Sequence, residues 1–562
     1  MYSNLFYRET PDNAVGLLLS GQTIFTPTPD KESMFAREAD NALRKRFSPG
    51  HYVLHSEVTE ILRFRISYFN DLTSSFLRQH LTPDVLHFLL STFDSLHEIQ
   101  EVNELLIGNA LEWRNREGIS LRRAVKFLCE QLLLKTRYRE MKPGKLFPLE
   151  GVLCALRASH EIVKTSMALL DLKCIKDYKL KVTIPSADSG EEFFNVEPYK
   201  ETIQTFVRAQ QRLNVSQQYA TLSSKPLIDR IDDQDKIIGE ALERCFGFRY
   251  LQAIEFLDSV FDNDHFYVLE RELITEHNLK FSMQTRSDEF ESLLRQLTPL
   301  FPEMTKEQMI LILQAFSICP DRIASESDRQ EWNPKLEYRL YRRGILLVPF
   351  KGKTYIRFSR GMVRESLLRL FTDICFGQYP KEWDCTDLRV QLGTLVKENG
   401  AWFEQEVSAQ FDKLGIPGFP QVTFLRLKKG TVKIAPGEID QLIFSKKHNA
   451  VIVVECKMLK WATESSQWRN EVSQFITEDK GFVAKLRAKV QWVRDNIQLV
   501  CEAFEVKEVP IDYKTCIVSA AFISYHPLHS SCFIEDVPCV GLTDFVQDYQ
   551  IEGDWPYAVS EI

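Results

Sequence analysis

The chain has 562 residues, of which 44% are hydrophobic and 26% charged, a composition typical of a soluble globular protein with two or three domains. Its longest apolar runs fall short of the roughly 20 residues that span a bilayer, so no membrane segment is predicted. The net charge of −8 argues against a chain that is basic throughout, and the twelve cysteines include no CxxC pair. With no secretory pattern at the N-terminus, these features favour a reducing, cytoplasmic setting.

Helical periodicity dominates the first third of the chain. From about Lys31 to Leu180, apolar residues recur at spacings of three and four, and little strand pattern is visible. Polar, turn-rich breaks follow at 184–190 and 223–226. We therefore predict a helical domain over residues 1–182, as the beginning of a large, mostly α-helical N-terminal region.

One part of this region is strongly basic. Ten lysine and arginine residues lie between Trp113 and Lys145, opposed by three glutamates, for a local charge of +7. Such a density would suit a phosphate backbone, but a run of this kind is more often a solvated helix face, and that interpretation is preferred here.

The middle of the chain is again mostly helical, with one hairpin pattern near 345–358. Gly352-Lys353-Thr354 at its turn matches the end of a phosphate-binding loop. The glycine that should stand five residues earlier is Leu347, however, and a strand follows instead of a helix. We predict a second, mostly helical domain over 183–380 that contains this hairpin and no ATPase motif.

The residues with catalytic potential lie in the last third, where strands and helices alternate. Two strand-like runs, Ile439 to Phe444 and Ala450 to Lys457, are joined by a short polar loop and predict a hairpin. Because side chains alternate along a strand, Glu455 and Lys457 share one face, while Cys456 faces the opposite side and belongs to the core.

A carboxylate and an ammonium therefore emerge together at the end of an apolar strand, and Asp440 on the neighbouring run adds a second carboxylate. Burying these charges is unfavourable unless something compensates them. Mg²⁺ or Mn²⁺ would do so, because both prefer oxygen ligands and keep positions for water and phosphate. Asp440 and Glu455 are the predicted metal ligands, with Lys457 beside the attacking water. An ordinary edge strand ending in a Glu–Lys ion pair is the alternative.

An upstream helix supplies a third acid. Phe403, Val407 and Phe411 form one apolar stripe. At about 100° per residue, Glu404 lies at the border of this stripe, and Glu406 is expected further toward solvent. Glu404 is therefore the predicted third acid of the site and a further metal ligand beside Asp440 and Glu455.

Positive charge concentrates around these acids. The segment Gln421 to Lys460 carries eight basic residues and three acidic ones, although the whole chain is acidic. A helix-like stretch that starts at Phe482 adds further cations, for which a solvated face is an equal alternative. The predicted contacts to nucleic-acid phosphates are Lys428, Lys429, Lys433, Lys460, Lys485 and Lys489.

The order of these elements resembles the core of the PD-(D/E)XK (restriction-endonuclease-like) nuclease superfamily, and in detail it is similar to the branch of nuclease-related domains and archaeal Holliday-junction resolvases. Glu404 matches the family's helix glutamate and Asp440 its metal-binding aspartate. Glu455 and Lys457 match its (D/E)-x-K motif. Pro436 does not directly precede the aspartate, which is a departure from the family pattern.

The resemblance implies an α+β multidomain chain that ends in an α/β restriction-endonuclease-like domain with a mixed central sheet, over residues 381–562. The resemblance itself covers about Asp384 to Gln550 of this domain. It also implies that the backbone carbonyl of Cys456 is a further metal ligand. Gln474 or Lys485, on the helix after the motif, is a candidate for a supporting role.

By the same resemblance, the expected activity is metal-dependent hydrolysis of phosphodiester bonds in DNA, with RNA as an alternative substrate and with endo- and exonuclease action both open. The N-terminal helical region is expected to recognise substrate, a regulatory protein partner or a second copy in a homo-oligomer, and restriction or anti-phage defence is the suggested setting. The competing hypothesis is a nucleic-acid-binding interaction protein whose nuclease-like domain is silent or activated by a partner.

Overall fold

The computed structural model describes residues 6–10, 14–19, 22–79, 83–101, 118–134, 146–175, 178–187, 193–198, 221–262, 270–274, 280–284, 286–325, 338–462 and 465–559. Over these residues the chain is an α+β protein of several cores: helices predominate in its N-terminal and central parts, and a mixed sheet organises its C-terminal part, as predicted.

The α-helices are α1 (Pro29–Arg44), α2 (His55–Gln79), α3 (Pro83–Glu101), α4 (Ile119–Leu134), α5 (Leu149–Cys174), α6 (Ile231–Phe246), α7 (Tyr250–Asp262), α8 (Phe290–Leu297), α9 (Lys306–Ala315), α10 (Pro320–Ser325), α11 (Arg360–Ile374), α12 (Thr386–Leu414), α13 (Ser465–Ile476), α14 (Phe482–Asp495), α15 (Ile497–Val506) and α16 (Leu542–Glu552).

The β-strands are β1 (Phe6–Thr10), β2 (Ala14–Leu19), β3 (Gln22–Pro27), β4 (Gly50–Tyr52), β5 (Leu180–Ile184), β6 (Asn195–Pro198), β7 (Glu270–Ile274), β8 (Lys280–Gln284), β9 (Arg286–Glu289), β10 (Ser317–Ile318), β11 (Ile345–Phe350), β12 (Lys353–Phe358), β13 (Gly418–Val422), β14 (Phe424–Leu427), β15 (Gly430–Lys433), β16 (Ile439–Ser445), β17 (Ala450–Lys457), β18 (Ile517–Ser524) and β19 (Cys539–Gly541).

The N-terminal core forms where the apolar faces of α2, α3, α4 and α5 meet, around residues such as Phe69, Leu89 and Leu128. Two small antiparallel sheets, β1 to β3 and β4 to β6, accompany these helices and were not predicted from sequence. Leu346 and Met362, from much later in the chain, complete the same core. The N-terminal and central parts of the chain therefore share apolar packing.

The basic run of the sequence lies partly on α4. Arg122 and Lys126 are largely buried and contact the Glu365 carboxylate of α11 at 2.8 and 3.0 Å. The preferred solvated-face interpretation is wrong for these two side chains, because a buried acid from another helix neutralises them. Residues 113–117 and 135–145 of the run lie outside the described residues.

The central core gathers α6, α7, α9 and the first half of α12 around large aromatic side chains such as Phe256 and Trp383. Strands β11 and β12 pair antiparallel, as predicted for residues 345–358. Lys351 and Gly352 occupy the turn with φ of +49° and +76°, the left-handed geometry that two-residue hairpins favour. Gly352-Lys353-Thr354 is therefore a hairpin tip, in agreement with the exclusion of a phosphate-binding loop.

The C-terminal part is built on a five-stranded sheet in the order β13-β16-β17-β18-β19. The first three strands are antiparallel and the last three parallel, so the sheet is mixed. On one face, Val451 and Val453 of β17 pack with α14 and α15. On the other, Ile452 and Val454 pack with the second half of α12 and with α16. Helix α12 thus links the central core to the sheet.

In the part of the chain that the structure describes, no helix has both the length and the apolar character needed to cross a membrane.

Candidate functional site

The hairpin of β16 and β17 brings the predicted acids together. Its antiparallel register pairs Gln441 with Val454, so the residues that come next, Asp440 and Glu455, lie at the same end of the two strands. Side-chain alternation on β17 places Glu455 and Lys457 on the face that packs against α14. Both the hairpin and its facing parity follow from the strand pattern in the sequence.

Short contacts tie these side chains to one another. Asp440 Oδ2 accepts a hydrogen bond from the backbone N–H of Cys456 at 2.7 Å. Lys457 Nζ donates to Glu455 Oε2 and to the Cys456 carbonyl, each at 3.1 Å, and lies 3.9 Å from Asp440 Oδ2. The Lys457 ammonium therefore lies within 4 Å of the Glu455 carboxylate, the Asp440 carboxylate and the Cys456 carbonyl.

The two carboxylates do not share this positive charge equally. Burial and, to a smaller extent, the negative charge of Glu455 raise the pKa of Asp440 to about 7, although Lys457 and the Cys456 N–H act in the opposite direction. For Lys457, burial lowers the pKa, but the adjacent Glu455 and Asp440 carboxylates outweigh it and leave the pKa above its ordinary value. Of the two strand-end carboxylates, Asp440 is thus the one with the less compensated negative charge.

A second lysine enters the site from α14. Lys489 Nζ contacts Glu455 Oε1, and its side chain is only 12% exposed. The sequence had assigned Lys489 to nucleic-acid phosphates on the surface, and the structure instead places it inside the acidic cluster. Glu455 therefore has a lysine on each carboxylate oxygen, whereas Asp440 has the Cys456 N–H and the more distant Lys457.

Helix α12 brings Glu404 to the same neighbourhood. Its charge is close enough to raise the pKa of Asp440, and its Oε2 accepts a hydrogen bond from Gln421 Nε2 at 3.2 Å. Gln421, on edge strand β13, has a φ of +47° and was missed by the sequence analysis, because no local pattern marks it.

The expectation for Glu406 is wrong. It is 3% exposed, and its carboxylate accepts hydrogen bonds from the backbone N–H of Ser223 at 2.6 Å and from Gln410 at 3.0 Å. The segment around Ser223 covers what would otherwise be the outer face of α12. Glu406 therefore anchors this segment and does not face solvent.

The remaining predicted phosphate contacts fall into two groups. Lys428 pairs with Glu505 at 2.8 Å, and Lys460 contacts Asp373 of α11. The others are exposed side chains: Lys429, Lys433 and Lys485. Gln474, the candidate supporting residue on α13, is exposed as well.

Phe482, at the start of α14, lies beneath the predicted site. Its ring centroid is 5.1 Å from Lys457 Nζ and 5.9 Å from Lys485 Nζ. From sequence, Phe482 was predicted only as the start of a helix and not as part of the site. The ring gives the Lys457 ammonium an apolar support, which limits the directions in which the ammonium can point.

The oxygen atoms at this end of the hairpin fit a small divalent cation in kind. Asp440, Glu455 and the Cys456 carbonyl are hard oxygen ligands on adjacent strands, which suit Mg²⁺ or Mn²⁺ with waters in the remaining positions. Over the described residues, no three His, Cys, Asp or Glu side chains form a group that could hold a metal ion. Glu404 is thus a neighbour of the two carboxylates and not a third member of such a group.

No match was found when the chain was compared with models of protein families, with curated protein sequences or with solved structures. A functional assignment therefore depends on the geometry and the electrostatics of the site.

Proposed function

We propose that the chain is a metal-dependent nuclease of the PD-(D/E)XK type that hydrolyses phosphodiester bonds in DNA. The observation that supports it most is the convergence of Asp440, Glu455 and Lys457 at one end of the β16–β17 hairpin, with the pKa of Asp440 raised to about 7. A structural ion pair does not need a second, poorly compensated acid, whereas a cation site does.

In this proposal Asp440 and Glu455 hold Mg²⁺ or Mn²⁺, together with the Cys456 carbonyl. The bound ion supplies Lewis-acid polarisation of the phosphate and stabilises the leaving oxygen. Lys457 orients the attacking water and offsets the negative charge that develops on the phosphoryl oxygens. Glu404, which acts on Asp440 through its charge, keeps the site attractive to cations.

Exposed lysines on the hairpin that precedes β16 suit a phosphate backbone. Lys429 and Lys433 lie on the β14–β15 hairpin with exposed side chains. Replacing both with glutamine should weaken DNA binding and reduce the slope of log affinity against log salt by about two. An unchanged slope would remove these lysines from the proposed interface.

The test of the chemistry compares single substitutions in the full chain. Asp440→Asn keeps an acceptor for the Cys456 N–H, and Glu455→Gln keeps the side-chain volume. Each should lower Mg²⁺- or Mn²⁺-dependent cleavage of DNA by on the order of a hundredfold or more. Glu552→Gln is the matched control, because Glu552 also pairs with a lysine but is exposed on α16.

Cleavage is measured on supercoiled plasmid and on matched DNA and RNA oligonucleotides, with EDTA as the metal-free reference. Circular dichroism and thermal unfolding establish that each variant is folded. Wild-type rates in both the Asp440 and the Glu455 variants would reject the proposal. Comparison of the matched DNA and RNA oligonucleotides shows which nucleic acid is cleaved. Cleavage of the supercoiled plasmid, which has no ends, distinguishes endonuclease from exonuclease action.

One observation favours a second candidate, a nucleic-acid-binding interaction protein with a silent or partner-activated nuclease-like domain. Lys457 and Lys489 together neutralise Glu455. In that state a metal ion must displace at least one ammonium before it can bind. Saturable binding to duplex DNA without metal-dependent products would support this candidate over the first.

The biological setting belongs to the same proposal. A DNA-cleaving domain needs restraint, and the helical N-terminal and central cores are the part of the chain available to provide it through a partner or self-association. Restriction or anti-phage defence in the cytoplasm is the setting we propose, and loss of protection in a phage-challenge assay with the Asp440→Asn variant would support it.

A further inference from the structure

A cleft of arginines lies outside the proposed nuclease site, in the central part of the chain. Its lining includes Arg342, Arg343 and Arg369, with Gln378 and Tyr379 as further hydrogen-bonding groups. Asp373 is the single acid among the described residues that line it. The cleft is partly open to solvent.

Asp373, the one acid among the described lining residues, already has two cationic partners. Asp373 pairs with Arg342 at 3.3 Å and also contacts Lys460, which follows the proposed catalytic strand by three residues. Lys460 further donates to Gln378 at 2.8 Å. Burial lowers the pKa of Lys460, and the nearby positive charges of Arg342 and Arg369 oppose the effect of Asp373. Arg343 is already paired with Glu382 at 2.8 Å. Arg342, Arg369 and Lys460 are therefore the cations of the cleft that surround the Asp373 carboxylate.

The positive charge of Arg369 is only partly compensated. Its guanidinium stacks 3.4 Å from the ring centroid of Tyr341, which fixes its plane. Among the described residues its Nε has no hydrogen-bond partner, and the Glu365 carboxylate that it faces at 3.8 Å already contacts Arg122 and Lys126. The positive charge of Arg369 therefore shares one acid with two other cations, which leaves its side of the cleft electropositive.

We infer that this cleft binds the terminal phosphate monoester of a small ligand or of a nucleic-acid end. A monoester carries close to two negative charges and three strong acceptor oxygens, which several arginines can share. Planar guanidinium groups match phosphoryl oxygens in pairs, and the stacking on Tyr341 holds one of these groups in place in advance. The inference does not depend on nuclease activity, because the cleft includes neither Asp440 nor Glu455.

The arginine cleft contacts the segment that follows the strand carrying the proposed nuclease residues. The cleft lies on α11 and the segments around it, and Lys460 connects those segments to the end of β17. A phosphate bound here would compete with Asp373 for Arg342 and Lys460. The ligand therefore acts where the central core contacts the strand that carries Lys457.

Isothermal titration calorimetry on the full chain in EDTA tests the inference at constant ionic strength. The probes are inorganic phosphate, adenosine monophosphate, and a single-stranded hexanucleotide with and without a 5′-phosphate. We expect saturable binding of one monoester per chain. Arg369→Gln and Arg342→Gln should each weaken it about tenfold or more. Arg244→Gln, which removes an exposed arginine of α6 that pairs with Asp387, should leave it unchanged.

The outcomes separate the ligand sources. Tighter binding of adenosine monophosphate than of the phosphorylated hexanucleotide identifies a free nucleotide, and the reverse identifies a nucleic-acid end. Arg342→Gln serves as the second variant if Arg369→Gln does not fold, which its circular dichroism spectrum would reveal. Sulfate binding as tight as that of phosphate, absence of saturable binding for all probes, or wild-type affinity in the folded arginine variants would overturn the inference.

Discussion

Two clusters of buried charge in this protein have similar composition and opposite electrostatics. Around Glu365, a single carboxylate faces Lys126, Arg122 and Arg369, whose charges outweigh the effect of burial and hold its pKa at about 2. At the end of the β16–β17 hairpin, Asp440 and Glu455 face two lysines, and the pKa of Asp440 rises to about 7. The first cluster stabilises an ionised acid, and the second leaves one acid poorly compensated.

The difference shows how a structural ion cluster can be distinguished from a candidate cation-binding site. In the Glu365 cluster the carboxylate contacts Arg122 and Lys126 of another helix, and these contacts connect α4 to α11. In the strand-end cluster both lysines contact Glu455, while Asp440 depends on a backbone N–H and on Lys457 at 3.9 Å. A divalent cation would bring Asp440 the charge that it lacks, whereas the Glu365 cluster has no need of one.

The largest effects are expected when the acid of each cluster, Glu365 or Asp440, is replaced in turn. Glu365→Gln leaves Lys126 and Arg122 buried without their anion, and should lower the free energy of unfolding by about 3 kcal/mol. DNA cleavage per folded molecule should stay at the wild-type level. Asp440→Asn should show the reverse, with cleavage lost and the fold retained. Chemical denaturation and cleavage assays on both variants check this, and equal loss of activity in both would erase the distinction.

A smaller effect concerns the lysine that α14 contributes. Replacing Lys489 with methionine removes one positive charge from Glu455 and keeps the aliphatic bulk of the side chain. Mn²⁺ affinity should then rise roughly tenfold, because a nearby ammonium no longer opposes the metal charge. Calorimetric titration with Mn²⁺ measures it, and Lys485→Met, on the exposed part of the same helix, is the control. Equal or weaker Mn²⁺ binding in Lys489→Met would mean that this lysine does not compete with the metal.

The pH dependence of stability should have opposite signs in the two clusters. In metal-free protein the pKa of Asp440 is raised from 3.8 to about 7 by burial and by Glu455. The stability that the protonated carboxyl contributes is therefore fully present below its ordinary pKa and is lost as pH rises toward 7, because the unfolded state ionises first. Glu365, whose pKa is lowered to about 2, contributes stability above the ordinary glutamate pKa and loses it as pH falls.

Thermal unfolding in EDTA at pH 5.5 and pH 8 tests the first sign. We subtract the unfolding midpoint of the wild type from that of Asp440→Asn at each pH. This difference should be more positive at pH 8 than at pH 5.5. A relative midpoint that is constant across this range would show that Asp440 titrates below it.

The smallest effect is expected where a pair is exposed. Glu552 and Lys447 are 2.9 Å apart, with about half of each side chain accessible. Glu552→Gln should change the free energy of unfolding by about 0.5 kcal/mol or less, because solvent and salt screen an exposed pair. Denaturation at low and high salt measures this. A change as large as that of Glu365→Gln would show that burial is not what separates the clusters.

The sequence by itself determined the local elements on which the site depends. Alternation along Ala450–Lys457 predicted both the strand and the shared face of Glu455 and Lys457, because a strand repeats every two residues. Periodicity of about 3.6 predicted the helix that carries Glu404, and the turn at Lys351 and Gly352 predicted the hairpin.

Only the tertiary structure decided which charges meet. Lys489 reaches Glu455, Glu406 is buried beneath Ser223, and Arg122 finds Glu365 more than two hundred residues away. No local period encodes such contacts, since they arise when apolar faces pack and carry their polar neighbours along. The sequence therefore specified the strands and the helix that carry the predicted site residues. Packing determined which of their charged side chains pair within the core and which form a candidate metal site.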